Sequence, residues 1–277
     1  MTTTRTNIAP NDVGAVSGAS RLRLTTRLQN SPAALRAGII LLALLGWEIA
    51  ARLWGNPLFM APPSDVALAF VGLVGNGAVM LAVWNVLVAC FLAFVLSVAL
   101  GLLIGVPLGL NAFLRDALYP MVLLLYAVPQ SPFLPLLTIA FGTGIEPKIA
   151  YGFTHGIFPI IVTVVGGVQN IDRRLVVAAQ SMGASRAQIL RRIVLPVLTQ
   201  SLFSGMRLAM AAVVLGVMLA ELFVSAGGVG YFTKMFSNRF EPENLFALLV
   251  MLALIAITLN ESCRQVERHY TKWRENG

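Results

Sequence analysis

A chain of 277 residues that is 57% hydrophobic and only 12% charged is not an ordinary soluble domain, in which about a quarter of the residues carry charge. With a mean hydropathy of +0.80 it belongs to the membrane, and its formal charge of +8 needs a topological explanation. Two cysteines, Cys90 within a predicted span and Cys263 at the opposite end of another, and two histidines far apart in sequence argue against a disulfide framework and a metal cluster, so no metal site is expected.

The chain opens with about 30 residues of Thr, Asn, Ser and Arg with little periodicity, which predicts a disordered tail over 1–30 and one membrane domain over 31–277. That tail lacks the apolar core of a cleavable signal peptide, leaving the first span as the targeting signal. No Asp, Glu, Lys or Arg occurs from Val66 to Leu114, from Ala117 to Ile145, or from Ile149 to Ile171. A helix crossing a bilayer needs roughly 20 mostly apolar residues, so each stretch holds a span. The expected fold is all-α with six transmembrane helices, near 37–54, 84–110, 117–141, 149–168, 198–222 and 244–262. Between the first two, Pro62-Pro63-Ser64-Asp65 reads as the start of a short helix in an external loop.

Basic residues sort by loop. Arg5, Arg21, Arg23, Arg27 and Arg36 lie in the tail, five more arginines between Gln169 and Val197, and Arg264, Arg268, Lys272 and Arg274 after the last span. The alternate loops hold only Arg52, Lys148, Lys234 and Arg239. Lys and Arg concentrate on the cytoplasmic side, so both termini are expected there. The net charge is then accounted for without nucleic acid.

Within the spans, Gly101, Gly105 and Gly109 recur at a helical spacing that allows close backbone approach, within the subunit or across a dimer. Pro129, Pro132 and Pro135 cannot sit in a straight helix. Broken backbone at membrane depth is tolerated only in contact with protein or a cavity. The break is either a packed kink or a pathway lining, and Gln130, Ser131 and Phe133 are the pathway candidates. His155, alone in an apolar span, reads as a satisfied core residue. Glu48, Arg207 and Glu221 are charges at costly depth. Arg207 and Glu221 are candidates for a gate or for structural charges, Arg207 with room to snorkel and Glu221 within reach of the Gly227–Gly230 turn.

The segment from Asp172 to Arg192 has the pattern of a helix–turn–helix that lipid cannot hold. Gly183 makes the turn and Ser185 caps the second helix. Ala178, Ala179 and Met182 are expected to face the membrane domain, and Pro196 to fix the return to the bilayer. From residue types alone, the basic amphipathic helix could equally lie on anionic headgroups or meet a soluble partner.

The spacing of Ala178-Ala179, Gly183, Ile193, Leu195 and Pro196 resembles the cytoplasmic loop signature of binding-protein-dependent ABC importer permeases. Val177 stands where that signature usually has Glu. Pro62–Val66, Pro129–Leu137, Phe141–Ile149, Gly205–Ala209, Ala220-Glu221 and Gly228–Gly230 are similar to the nitrate, sulfonate and taurine branch. The resemblance implies a type I ABC importer permease fold in the bacterial cytoplasmic membrane, with a cytoplasmic coupling helix in a loop at about 172–196. It implies a second copy of the chain, two ATPase subunits and an extracytoplasmic solute-binding protein as partners. The ATPase contact would then involve Ala178, Ala179, Gly183, Ala184, Ser185, Leu195 and Pro196, with Arg186, Gln188 and Ile189 on the docking face. ATP and Mg would be bound by the ATPase, because this chain has no Gly-x-x-x-x-Gly-Lys-Ser/Thr loop and holds no cofactor of its own. It is expected to be a transport subunit and not an enzyme.

A secondary transporter or channel is the rival reading, but only one proline-broken span occurs and no matching second. An intramembrane enzyme would need a nucleophile with a base, which two distant histidines do not supply. The expected solute is a small organic anion such as an aliphatic sulfonate or taurine, or nitrate, with a pyrimidine-type vitamin precursor as the alternative. The spans carry no cationic cluster that would trap an anion.

Overall fold

The computed structural model describes residues 32–224 and 227–275, all of whose elements are helical; the predicted tail over 1–30 lies outside the described residues. The chain divides into two compact units at Ser64. In the first, α1 (Pro32–Leu53) is long and apolar enough to cross a membrane, and Ile39, Ile40, Leu41 and Leu42 are all exposed. Its Glu48 is a local clasp. The carboxylate takes Arg52 Nε at 2.5 Å and accepts from the Ser64 backbone N–H at 3.1 Å and the Ser64 hydroxyl at 2.9 Å.

Next come α2 (Pro63–Gly75), whose first residues close the first unit, α3 (Gly77–Leu110), α4 (Ala112–Ala127), α5 (Phe133–Phe141) and α6 (Glu146–Gln169). The short helix expected at Pro62–Asp65 is thus present. Asparagines punctuate this run. Asn76 caps α3 by accepting from Ala78 N and Val79 N, which starts that helix seven residues before the expected 84. Asn111 ends α3 and caps α4 through Phe113 N and Leu114 N.

The span expected at 117–141 is two helices rather than one, because the backbone breaks at Val128–Pro132. The last α4 bond is Val128 N–H to Leu124 O; Pro129 has no N–H to continue it. Helix resumes when Phe133 N and Leu134 N donate to Gln130 O and Ser131 O.

The remaining elements are α7 (Arg173–Ser181), α8 (Arg186–Ile189), a π-helical turn at Leu190–Val194, α9 (Leu195–Val224), α10 (Val229–Asn238) and α11 (Pro242–Glu275). α11 runs well past the expected 262, since no Gly or Pro interrupts it from Glu243 onward. By length and composition α1, α3, α6, α9 and α11 could each cross a membrane.

α6 is the centre of the second unit, packed between α3 and α9. On one face Gly101, Gly105 and Gly109 of α3 meet Ile160, Val164 and Val168 of α6. A methyl group at those glycines would lie 2.5, 3.0 and 2.6 Å from the opposing side chains, so the stripe expected for packing serves contacts within the subunit. One to two turns earlier, where Ala93 and Ser97 of α3 also come close, α6 reverses the roles. Its own Gly152 and Gly156 receive Val217 and Val213 of α9. His155 is a core residue as expected, with Nδ1 2.9 Å from Tyr151 O and its ring edge-on to Tyr151.

Candidate functional site

Two constructions stand at opposite ends of the α6/α9 pair. At the Asn170 end is the helix–turn–helix. Asp172 caps α7 by accepting from Arg174 N at 2.8 Å. α7 ends in a Schellman turn: Ala184 N donates to Ala179 O and Gly183 N to Gln180 O, with Gly183 at φ +79°. A Cβ at Gly183 would meet nothing within 4 Å, so the requirement there is conformational, not steric. Ser185 and Gln188 then form a reciprocal capping box. Gln188 N donates to Ser185 Oγ at 3.3 Å and Ser185 N to Gln188 Oε1 at 2.7 Å.

The loop sits on an apolar seat. Ile189, Val194 and Leu198 are buried, with Val176 and Ala179 of α7 and Val106 and Val168 from α3 and α6 packed around them. Two expectations need correction here. Met182 is 86% exposed and Ala178 is exposed, so both point away from the bundle; Ala179 packs inward as expected, and the 3.6-residue turn places Val176 beside it. Ile189 is buried on the seat and does not face outward. Gln188 is exposed but commits its carbonyl oxygen to the cap. Ala179, Met182, Gly183, Ala184, Gln188 and Arg192 are among the residues lining a recess of about 430 Å³. The Arg186 side chain, expected on the docking face, lies outside the described residues. Val177 is exposed, so the departure from Glu falls on the outer surface.

Leu195 and Pro196 do not turn the chain; they continue the π-turn straight into α9. Leu195 N donates five residues back to Leu190 O, a widening that makes room for the Pro196 ring beside Arg192. Farther along, Arg207 is half exposed, and its Nη1 lies 3.7 Å from Glu267 Oε2 on α11. Ser204 donates to the same carboxylate at 3.0 Å.

At the other end Glu221 is buried, with Lys148 Nζ 2.6 Å from its Oε1 and the Gly230 N–H donating to its Oε2 at 3.3 Å. Lys148, read above as a loop charge, is in the first turn of α6 and 4% exposed. Gly228, at φ +139°, and Gly230 let the α10 start close over this pair; a Cβ on Gly230 would lie 1.8 Å from Glu221 O. In this cluster Glu221 meets Lys148 and the start of α10 after the glycine-rich turn. Sequence reading missed Lys148 and Glu267. Each partner lies 60 or more residues away, and the only signal was that a buried charge in an apolar chain needs an opposite one.

Of the pathway candidates, Ser131 lines a cavity of about 860 Å³ with Pro132, Thr138, Thr143, Tyr151 and Leu219 among others. Gln130 Nε2 donates to Thr154 O at 3.3 Å, while its Oε1 is buried with no partner among the described residues. Phe133 is exposed at the start of α5 and is not part of that cavity wall.

The family described as binding-protein-dependent transport system inner membrane component matches residues 97–269, more than half of the chain. The chain belongs to that family. It is an ABC importer permease, a transport subunit and not an enzyme, and the family implies ATPase and binding-protein partners. Permeases of this family are inner-membrane components of the transporter. The taurine transport system permease TauC of Escherichia coli (strain K12) is 29% identical over 232 residues, 82% of this chain and 84% of that protein. The formylaminopyrimidine transport permease ThiX of Halalkalibacterium halodurans is 25% identical, covering 85% of this chain and 94% of that one. The putative aliphatic sulfonates permease SsuC of Bacillus subtilis (strain 168) is 27% identical over 83% of this chain and 84% of its own length. A chain of the inward-facing MetNI methionine ABC transporter shares the permease fold, with a TM-score of 0.58 at 20% identity over 70% of this chain and 96% of that chain.

Proposed function

We propose that this chain works as a homodimer in the bacterial cytoplasmic membrane, with both termini cytoplasmic and one ATPase docked on each copy of residues 172–196. α4 and α5 together make the broken third of six spans. The observation that carries this reading is the division of the α7–α8 loop into a packed back and a preorganised front. Its back, including Ala184, is held on the apolar seat, while the Schellman turn and capping box present Met182, Gly183 and Ser185 outward. A rigid element whose outer face meets no other element among the described residues suits a docking helix better than a segment adapting to headgroups. ATP and Mg belong to the ATPase; this chain supplies the moving spans, and closure of the ATPases would rock them between inward- and outward-facing states.

The proposed solute is a small organic anion such as an aliphatic sulfonate or taurine, or nitrate, in keeping with the taurine and sulfonate relatives. A pyrimidine-type precursor, as in the name of the ThiX relative, is the alternative. The test is co-purification of the tagged chain with the ATPase encoded beside it, comparing wild type with Gly183→Arg. Loss of the ATPase from a variant that is still inserted and folded supports docking at the turn. Stable isolation without an ATPase, with ATP-independent uptake in vesicles, would replace the reading with a secondary transporter.

A further inference from the structure

The cavity holding Ser131 has a counterpart at the far end of the same helix pair. Thr163, Gly166 and Asn170 of the α6 end, with Ser201 and Ser204 of α9, line a second recess of about 430 Å³. Leu219, in the first cavity, and Ser201, in the second, are separated by five turns of 3.6 residues on the continuous helix α9, so they lie on one face. On α6, Tyr151 and Val162 are three turns apart and also share a face. The two recesses therefore sit one above the other along a single face of the pair. At 1.5 Å per residue the recesses lie about 16 Å apart from Tyr151 to Val162 and about 27 Å apart from Leu219 to Ser201, so both fall within the roughly 30 Å of bilayer hydrocarbon.

The linings share neutral polar groups, set in a mostly apolar wall in the first recess and among small residues in the second. Ser131 and Thr143 in one recess, and Asn170 and Ser201 in the other, make no side-chain hydrogen bond among the described residues, and no Lys or Arg lines either. Between them the same face turns apolar. Phe158 on α6, stacked on Tyr126 at 5.8 Å, comes seven residues after Tyr151, and Leu215 and Leu208 on α9 come four and eleven before Leu219; both leucines are more than half exposed. Unpaired hydroxyl and amide groups are unfavourable against lipid tails, so this face is suited to water and a solute.

We infer that this face is the solute path, with an outer site at Ser131 and Thr143, an apolar constriction at Phe158, Leu208 and Leu215, and a release site at Asn170 and Ser201. The inference rests on the importer reading above and adds to it how the anion is carried. Neutral O–H and N–H donors solvate the sulfonate end strongly enough to admit it and weakly enough to release it, where a fixed cation would hold it.

The test uses the full complex in membrane vesicles, with Cys263→Ser as background and Cys90 left buried in α3. Ser131→Cys and Ser201→Cys are each reacted with the membrane-impermeant reagent 2-sulfonatoethyl methanethiosulfonate, without nucleotide and after trapping with ATP and vanadate. The two rates should move in opposite directions, each by about tenfold or more, as the accessible state falls to a minor population. Thr143→Cys and Asn170→Cys repeat the measurement if either serine variant fails to assemble. Equal rates in both states, or an equally large shift at Leu103→Cys on the exposed side of α3, would overturn the path. Wild-type uptake distinguishes the two readings: if it stays ATP-driven the importer reading stands while the path falls. Loss of ATP dependence in the wild type sinks the importer reading instead.

Discussion

The two ends of the α6/α9 pair are held by different physics. At the Lys148 end the attachment is polar and dry: a desolvated ion pair, the Gly230 backbone donor, and the glycines that let α10 close over it. At the Asn170 end it is apolar and one-sided, a seat of Ile189, Val194 and Leu198 under a loop whose outer surface is open. A buried pair has one good geometry and fails abruptly when a partner is lost. An apolar seat tolerates small displacements of what rests on it, which suits the end proposed to take force from an ATPase. The contrast is one of brittleness against compliance, and it can be broken from either side.

The largest effect is expected at the dry end. Glu221→Gln or Lys148→Met leaves one buried charge without its partner, a loss of about 3–5 kcal/mol in comparable pairs. Such variants should be depleted from membranes and unfold at markedly lower temperature in detergent. Lys148→Met combined with Glu221→Met should recover most of that loss, because replacing both members removes the desolvation penalty as well as the attraction. A double variant as unstable as the worse single one would show that the Gly230 contact, not the ion pair, holds this end.

Gly230→Ala comes next. Its added methyl would press on the Glu221 carbonyl, and overpacking of this kind costs about 1–3 kcal/mol. Because α10 can lift away, the thermal shift in detergent should be smaller than for Glu221→Gln; an equal or larger shift would mean that the α10 closure is the stronger element.

At the compliant end stability and coupling should separate. Gly183→Ala costs about 1–2 kcal/mol through its positive φ, and Ser185→Ala about 1 kcal/mol through loss of the cap. Under the docking proposal, both should lower ATP-driven uptake more than they lower the melting temperature, since the altered groups form the presented turn. Proportional losses would reduce this loop to a structural connection.

Local chemistry made much of this legible beforehand. The proline break at Pro129 and Pro132, the Gly183 turn and the Ser185 cap follow from residues within four positions of one another, where backbone geometry decides the outcome. The glycine stripe on α3 was legible as packing but not its partner, because a small residue announces close approach without naming what approaches. Lys148 was misread because topology counting treats a lysine at a span boundary as solvent-facing. Its pairing with Glu221 depends on the way α6 and α9 pack, which no local pattern records. The inward position of Val176, and the outward ones of Ala178 and Met182, were hidden by a short helix with small residues on both sides. There a shift of one residue in the assumed register moves the face by 100°.

The smallest effect is expected where the two ends are joined through the last helix. Glu267 receives the Ser204 hydroxyl and lies 3.7 Å from Arg207, tying α9, just beyond the loop, to α11. Arg207 is about half exposed, so the ion pair itself is worth only about 0–1 kcal/mol. Glu267→Gln keeps an acceptor for Ser204 and removes the charge, so the melting temperature should barely change. If α11 moves with α9 during the cycle, uptake should fall more for Glu267→Ala, which removes both contacts, than for Glu267→Gln. Equal, near-wild-type uptake in both would confine the compliant end to α7, α8 and α9 and leave α11 a bystander, which sharpens the contrast without depending on the dry end at all.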